Sequence, residues 1–104
     1  LRDIGYQFPD TSAEYLNIDS KILLRRTGEL LKEKGYRIGN IDSTVAAQAP
    51  KLNPHIPAMQ ETMAAVLGID PDCLSIKATT TEKLGFEGRK EGITAYATVL
   101  IENV

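Results

Sequence analysis

The sequence predicts one α/β domain, a two-layer α+β sandwich in which two helices cover one face of a three-stranded sheet. Three observations carry this. Two stretches place apolar residues at helical spacing, three others alternate with period two, and turn residues separate each stretch from the next. At 104 residues, 42% hydrophobic and 25% charged, the chain has the size and composition to bury one core.

Residues 1–17 read as an irregular segment, because Gly5, the run Pro9-Asp10-Thr11-Ser12 and Asn17 all favour turns. A helix is predicted from Asp19 to Lys34. Asp19 or Ser20 can cap it, Leu23, Thr27, Leu30 and Leu31 form its stripe, and Gly35 supplies a left-handed stop. Gly28 inside the helix costs up to about 1 kcal/mol against alanine, which close packing on a neighbour would explain.

From Tyr36 the period becomes two. Ile41, Ser43, Val45 and Ala47 share one face of a strand, and Asp42, Thr44, Ala46 and Gln48 share the other. The phase slips around Gly39-Asn40, where a bulge or break is expected. A proline-punctuated loop, "AQAPKLNPHIP", leads into a second helix capped by Asn53 with Pro54 as its first residue. Ile56, Met59, Met63, Val66 and Leu67 are its buried stripe, and Gly68 closes it. After "IDPD", Leu74, Ile76 and Ala78 alternate with Ser75, Lys77 and Thr79. The last strand sets Ile93, Ala95, Ala97, Val99 and Ile101 against Thr94, Tyr96, Thr98 and Leu100. Tyr96 and Leu100 lie away from the alanine-rich set, so this sheet is expected to be covered on both faces, by a further strand or an oligomer contact.

Composition excludes several classes. A net charge of -2 gives no general electrostatic basis for binding nucleic acid or an anionic membrane. No apolar run approaches the roughly 20 residues that span a bilayer, and no secretory pattern opens the chain. Cys73 is the single cysteine, which forbids an intrachain disulfide, suits a reducing cytoplasm and reads as a small buried hydrophobe. His55, the one histidine, reads as structural. The opening "LRDIGYQFPD" has no initiating methionine, which suggests a processed or truncated product.

Four stretches combine glycine or proline geometry with polar side chains: "RDIGYQFPDTS", "AQAPKLN", "KATTTEK" and "GFEGRKEG". Asp3 and Asp10 can grip sugar hydroxyls or metal-bound water, or simply cap turns. The backbone around Pro50 offers polar groups to a planar base with Lys51 near a phosphate, or forms a plain loop. Thr79, Thr80 and Thr81 can donate to an anionic oxygen beside Glu82 as a cation ligand, or a strand merely runs out into a polar turn. Arg89 can clamp a phosphate, as any solvated arginine can.

Taken together, "DIGYQFPDTS", "KGYRIGNID", "AQAPKLNPHIP" and "KATTTEKLGFEGRKEGI" resemble the 2-C-methyl-D-erythritol 2,4-cyclodiphosphate synthase family over essentially the whole chain. The resemblance implies a single domain over residues 1–104 with a mixed sheet, helices on one face, and a cytoplasmic homotrimer that packs its sheets around a central axis with active sites between subunits. It implies a phosphorus–oxygen lyase of isoprenoid biosynthesis. In that reaction the 2-phosphate of 4-diphosphocytidyl-2-C-methyl-D-erythritol 2-phosphate attacks the β-phosphorus of the same molecule and CMP leaves.

Roles follow by resemblance. Asp3, Ile4, Gly5, Phe8, Pro9, Asp10, Thr11 and Ser12 match the loop for the methylerythritol phosphate. Ala47, Gln48, Ala49, Pro50, Lys51, Leu52 and Asn53 match the cytidine segment. Ala78, Thr79, Thr80 and Thr81 would hold the α-phosphate, with Thr80 stabilising the transition state, and Glu82 would bind magnesium or manganese. Phe86 and Arg89 match a central cavity for an isoprenoid diphosphate, where Tyr96 stands in place of a glutamate found in some members. The family's zinc ligands have no counterpart in these residues, so the chain resembles the C-terminal two thirds, N-terminally incomplete, with little activity expected of it alone. The alternatives are a non-catalytic cytidine-nucleotide-binding module and a trimeric assembly domain.

Overall fold

A computed structural model describes residues 2–104. The opening stretch, expected to be irregular, contains a helical turn, α1 (Ile4–Gln7), and a 3-10 turn over Ala13–Tyr15. Four residues are too few to show a helical period, so the sequence pattern did not mark it. Aromatic contacts organise the segment. Phe8 is buried and meets Tyr15 edge-on at 5.5 Å between centroids, and the Arg2 guanidinium lies 3.9 Å over the Tyr6 ring.

Helix α2 (Ser20–Glu33) is capped by Asp19, whose carboxylate accepts from the Lys21 N–H at 2.9 Å. That hydrogen bond, helped by the Lys21 ammonium at 3.1 Å, holds the Asp19 carboxyl below its ordinary value. A folded-state value below the unfolded one means the cap stabilises fully at neutral pH and fades as pH falls through the carboxylate range. Asp19→Ala should therefore melt below wild type at pH 7, with the gap closing at acid pH. Circular-dichroism melts check this, and a gap that is constant with pH would refute it. The helix stops at Gly35, which takes the left-handed backbone at φ 83°.

Strand β1 (Tyr36–Ala46) is central in the sheet. It runs parallel to β2 (Leu74–Thr79) and antiparallel to β3 (Thr94–Asn103), in the order β2-β1-β3, so the sheet is mixed. Ile41 stands opposite Leu74 on one side and Val99 on the other. The expected slip is present: Ile38 pairs with Ile101 and Asn40 with Leu100, leaving Gly39 as the extra residue. It lets Ile38 and Ile41, three apart, both join the core.

The second long helix, α3 (Ile56–Leu67), begins later than expected. Asn53–His55 form a 3-10 turn first, with the His55 N–H bonded to the Leu52 carbonyl at 2.8 Å. Pro57 explains the delay, since it has no N–H to give the Asn53 carbonyl and so blocks a continuous α-helix from Pro54. Gly68 ends α3 at φ 68°.

Both long helices lie on one face. Ile41, Leu67, Leu74 and Ile76 form the buried cluster, flanked by Leu24, Ile38, Ile56, Met59, Met63 and Ile69. The deepest residue of α3 is Ala64, which a search for large apolar side chains passes over. A Cβ on Gly28 would sit 3.3 Å from Leu67 Cδ2, so the expected close packing is between α2 and α3. Cys73, expected to be buried, is only half-buried, because it closes a 3-10 turn (Pro71–Cys73) at the sheet's margin. Strand β3 carries its apolar residues in the open, with Tyr96 64% and Leu100 60% exposed on the outer face. The turn before it contains one helical element, α4 (Gly85–Gly88). No helix among the described residues is long and apolar enough to cross a membrane.

Candidate functional site

Strands β1 and β2 end side by side, with Ala46 opposite Thr79 and the Ala47 N–H donating to the Thr79 carbonyl at 2.9 Å. The chain therefore leaves the sheet twice from neighbouring points, as "AQAPKLN" and as "TTEK". Between the two exits lies a cleft of about 330 Å³ lined by Ala47, Gln48, Pro50, Lys51, Leu52 and Asn53 on one side and Ala78, Thr79 and Thr80 on the other. Sequence reasoning marked all nine, and only Ala49 of the first loop is outside the lining. Its walls are mostly apolar, with backbone groups and one lysine, which suits a planar ring with an anionic tail.

The three threonines do different things. A hydroxyl has one proton to give. Thr79 Oγ1 donates to the Thr80 carbonyl at 3.0 Å, and Thr81 Oγ1 donates to the Leu84 carbonyl. Thr80 Oγ1 instead accepts, from the Glu82 N–H at 3.3 Å. Its own proton is not spent in this turn, and Thr80 lines the cleft. So the run is both a strand ending in a polar turn and a turn that leaves one hydroxyl proton unspent at a residue lining the cleft.

The turn itself is constrained. Glu82 and Lys83 have φ of 53° and 65°, left-handed values that residues with side chains rarely adopt. A Cβ on Gly88 would lie 2.2 Å from the Lys83 carbonyl carbon, so the first residues of the turn rest directly on the end of α4. Glu82 is exposed beside the cleft.

Other expected site residues lie elsewhere. None of Asp3, Ile4, Gly5, Phe8, Pro9, Asp10, Thr11 and Ser12 lines the cleft. Ile4, Gly5, Phe8 and Asp10 border a separate cavity of about 380 Å³ shared with Tyr15, Ile18 and Leu23. Asp3 gives its carbonyl to the N–H groups of Tyr6 and Gln7, and Ser12 Oγ accepts from the Glu14 N–H at 3.3 Å. Arg89 is engaged within the chain: its Nε and a terminal nitrogen donate to the two Glu91 oxygens at 2.8 and 3.2 Å. Lys90, at φ 62°, turns the backbone so that Glu91 folds back on Arg89. Sequence reading missed Glu91, although an acidic residue two places after the arginine in a glycine-rich turn was the available signal. Phe86 lies against Gly92, where an added Cβ would approach its ring to 3.2 Å. Lys77, which flanks the threonines in sequence, is held on the outer face by both Asp42 oxygens at 2.7 and 2.9 Å.

Among the described residues no three His, Cys, Asp or Glu side chains converge to hold a metal ion, and His55 is exposed. These residues do not fit zinc, which takes four N, S or O ligands. Glu82 fits magnesium or manganese better, since such ions use one or two carboxylates and complete their shell with phosphate oxygens and water.

Residues 1–102 match the model of the YgbB family. A 2-C-methyl-D-erythritol 2,4-cyclodiphosphate synthase of Bacteroides thetaiotaomicron is 72% identical over 102 residues, covering 98% of this chain and 64% of that protein. The bifunctional IspDF from Campylobacter jejuni superposes with a TM-score of 0.93 at 42% identity, covering 98% of this chain and 28% of that one. IspF of Plasmodium falciparum in its CDP complex superposes with a TM-score of 0.83 at 36% identity, over 98% of this chain and 60% of that one. This chain thus spans less than two thirds of the length of the synthases it matches.

Proposed function

The chain belongs to the YgbB family, and from that premise we propose that it serves the cyclodiphosphate synthase reaction named for its relatives. A phosphate oxygen on the methylerythritol unit forms a bond to the β-phosphorus of the same molecule. The bond from that phosphorus to the bridging oxygen breaks, and CMP departs with the electron pair. Such a step needs alignment and charge stabilisation more than covalent help from the protein.

The observation that carries the reading is the cleft between the loops at residues 47–53 and 78–80, with the Thr80 proton available in it. Backbone groups of residues 47–53 read the pyrimidine edge, whose pattern of donors and acceptors a purine does not present. Ala78, Thr79 and Thr81 hold the α-phosphate, and Thr80 donates to a non-bridging oxygen as charge builds there. Glu82 holds magnesium or manganese, and that ion when bound neutralises the diphosphate; zinc enters no step drawn from these residues.

The loop at Asp3, Ile4, Gly5 and residues 8–12 shares no wall with this cleft in one copy of the chain. A homotrimer with sites between subunits answers this, because Asp10 of one copy then accepts a substrate hydroxyl at the cleft of the next. The exposed outer face of β3, with Tyr96 and Leu100, supports a contact between copies. Phe86 and Arg89 near that axis would take an isoprenoid diphosphate only by competing with Glu91 for the guanidinium. A reducing cytoplasm is the proposed location.

Calorimetric titration of the full chain with CDP and with ADP tests the reading. CDP should bind at least about tenfold more tightly. Equal affinity for the two would overturn the assignment of residues 47–53.

A further inference from the structure

The two cleft loops are tied to each other beyond the sheet, and the tie reaches the reacting end of the site. Gln48 lines the base side. Its side-chain Oε1 accepts from the Lys83 N–H at 3.2 Å, a contact spanning 35 residues of sequence. Lys83 is pressed from beneath by Gly88, whose Cβ position lies 2.2 Å from the Lys83 carbonyl carbon. The residue before it, Glu82, gives its N–H to Thr80 Oγ1. A continuous line of contacts therefore runs from Gln48 through Lys83 and Glu82 to the Thr80 hydroxyl.

The backbone along that line does not hold itself. Left-handed φ values of 53° and 65° at Glu82 and Lys83 persist only where the surroundings impose them. Gly88 blocks the turn on one side, and the Gln48 carboxamide holds it from the other. Resting on the function proposed above, we infer that Gln48 is a positioning residue: its carboxamide, not only its backbone, couples the pyrimidine loop to the turn that orients Thr80 and Glu82. The loop that reads the base thus also props the turn at the phosphate end, so losing the Gln48 acceptor should be felt in kcat and not only in affinity.

Because little activity is expected of residues 1–104 alone, the test uses the chain joined to the N-terminal residues that its longer relatives carry, with Gln48→Met, which removes the acceptor at similar volume, and Gln48→Glu, which restores one. Gln48→Met should lower kcat about tenfold, with KM and CDP affinity changing less than about threefold, as expected for losing one hydrogen bond that acts mainly in the transition state. Gln48→Glu should recover kcat to about threefold or more above Gln48→Met, any charge penalty falling on KM. Amide exchange at Lys83 should quicken in Gln48→Met and be restored toward wild type in Gln48→Glu. A Gln48→Met enzyme with wild-type kcat, equal losses in both variants, or a loss confined to KM would each overturn the strut. Wild type that fails to prefer CDP over ADP overturns the functional reading and, with it, the strut's catalytic role. Wild type that prefers CDP while Gln48→Met matches it in kcat overturns the strut alone.

Discussion

Thr80→Val is expected to reduce kcat by about two to three orders of magnitude, with KM and CDP affinity within about threefold of wild type. Valine matches threonine in shape and β-branching, so the backbone leaving β2 is kept and what is lost is the hydroxyl, both its free proton and its acceptance of the Glu82 N–H. The predicted size is that of removing one hydrogen-bond donor aimed at developing charge. The neighbours provide internal controls. Thr81→Val loses the bond to the Leu84 carbonyl, and its effect should appear as a looser turn and lower stability. Thr79→Val loses a bond to the adjacent Thr80 carbonyl, and because Thr79 is placed at the α-phosphate its effect should fall on KM, leaving kcat the least changed of the three. Thr80→Ser keeps the donor and should stay within about tenfold of wild type. A Thr80→Val enzyme within tenfold of wild type, or three valine variants with equal losses, would remove Thr80 from its assigned role.

That ranking could not be read from "TTT", where three identical side chains look equivalent. It depends on which carbonyls the turn brings back, and those come from Glu82 and Lys83 adopting a backbone that no local preference demands. The same distinction runs through the molecule. Helices α2 and α3 and all three strands were legible because their periods extend over many residues, and the slip at Gly39 showed as a break in phase. Turn α1 was not legible, since one helical turn has no period, and Pro57's effect on the start of α3 required knowing which carbonyl it fails to serve. The cleft was legible as two loops, because glycine, proline and threonine mark chain reversals. The contacts that organise it were not: Gln48 to Lys83 and Asp42 to Lys77 each join residues 35 apart. Strand order β2-β1-β3 creates those contacts, and nothing in local composition states it. The family resemblance supplied roles for residues without saying which side chains hold one another.

Leu74→Ala is expected to destabilise the fold by about 3 kcal/mol, read as the difference in unfolding free energy from urea titration at fixed protein concentration. Leu74 is the largest fully buried side chain, 2% exposed, and it stands opposite Ile41 beneath the two long helices. Its truncation leaves a cavity among Ile41, Leu67 and Ile76 that rigid strands cannot fill. Against a typical total of about 5–15 kcal/mol, that is a large share of what holds a domain of this size together. Val99 is the informative comparison, because it pairs with the same Ile41 from the other side yet is 42% exposed. Val99→Ala should cost under about 1 kcal/mol if β3 stays open in solution, since much of its surface is already in water. A Val99→Ala penalty approaching that of Leu74→Ala would instead mean that the helix-side face of β3 is covered in solution; the outer face, where a contact between copies is proposed, is read separately at Leu100, 60% exposed in one copy. Leu74 lies at the opposite end of β2 from Thr79, so its loss should lower stability without the selective fall in kcat expected at Thr80.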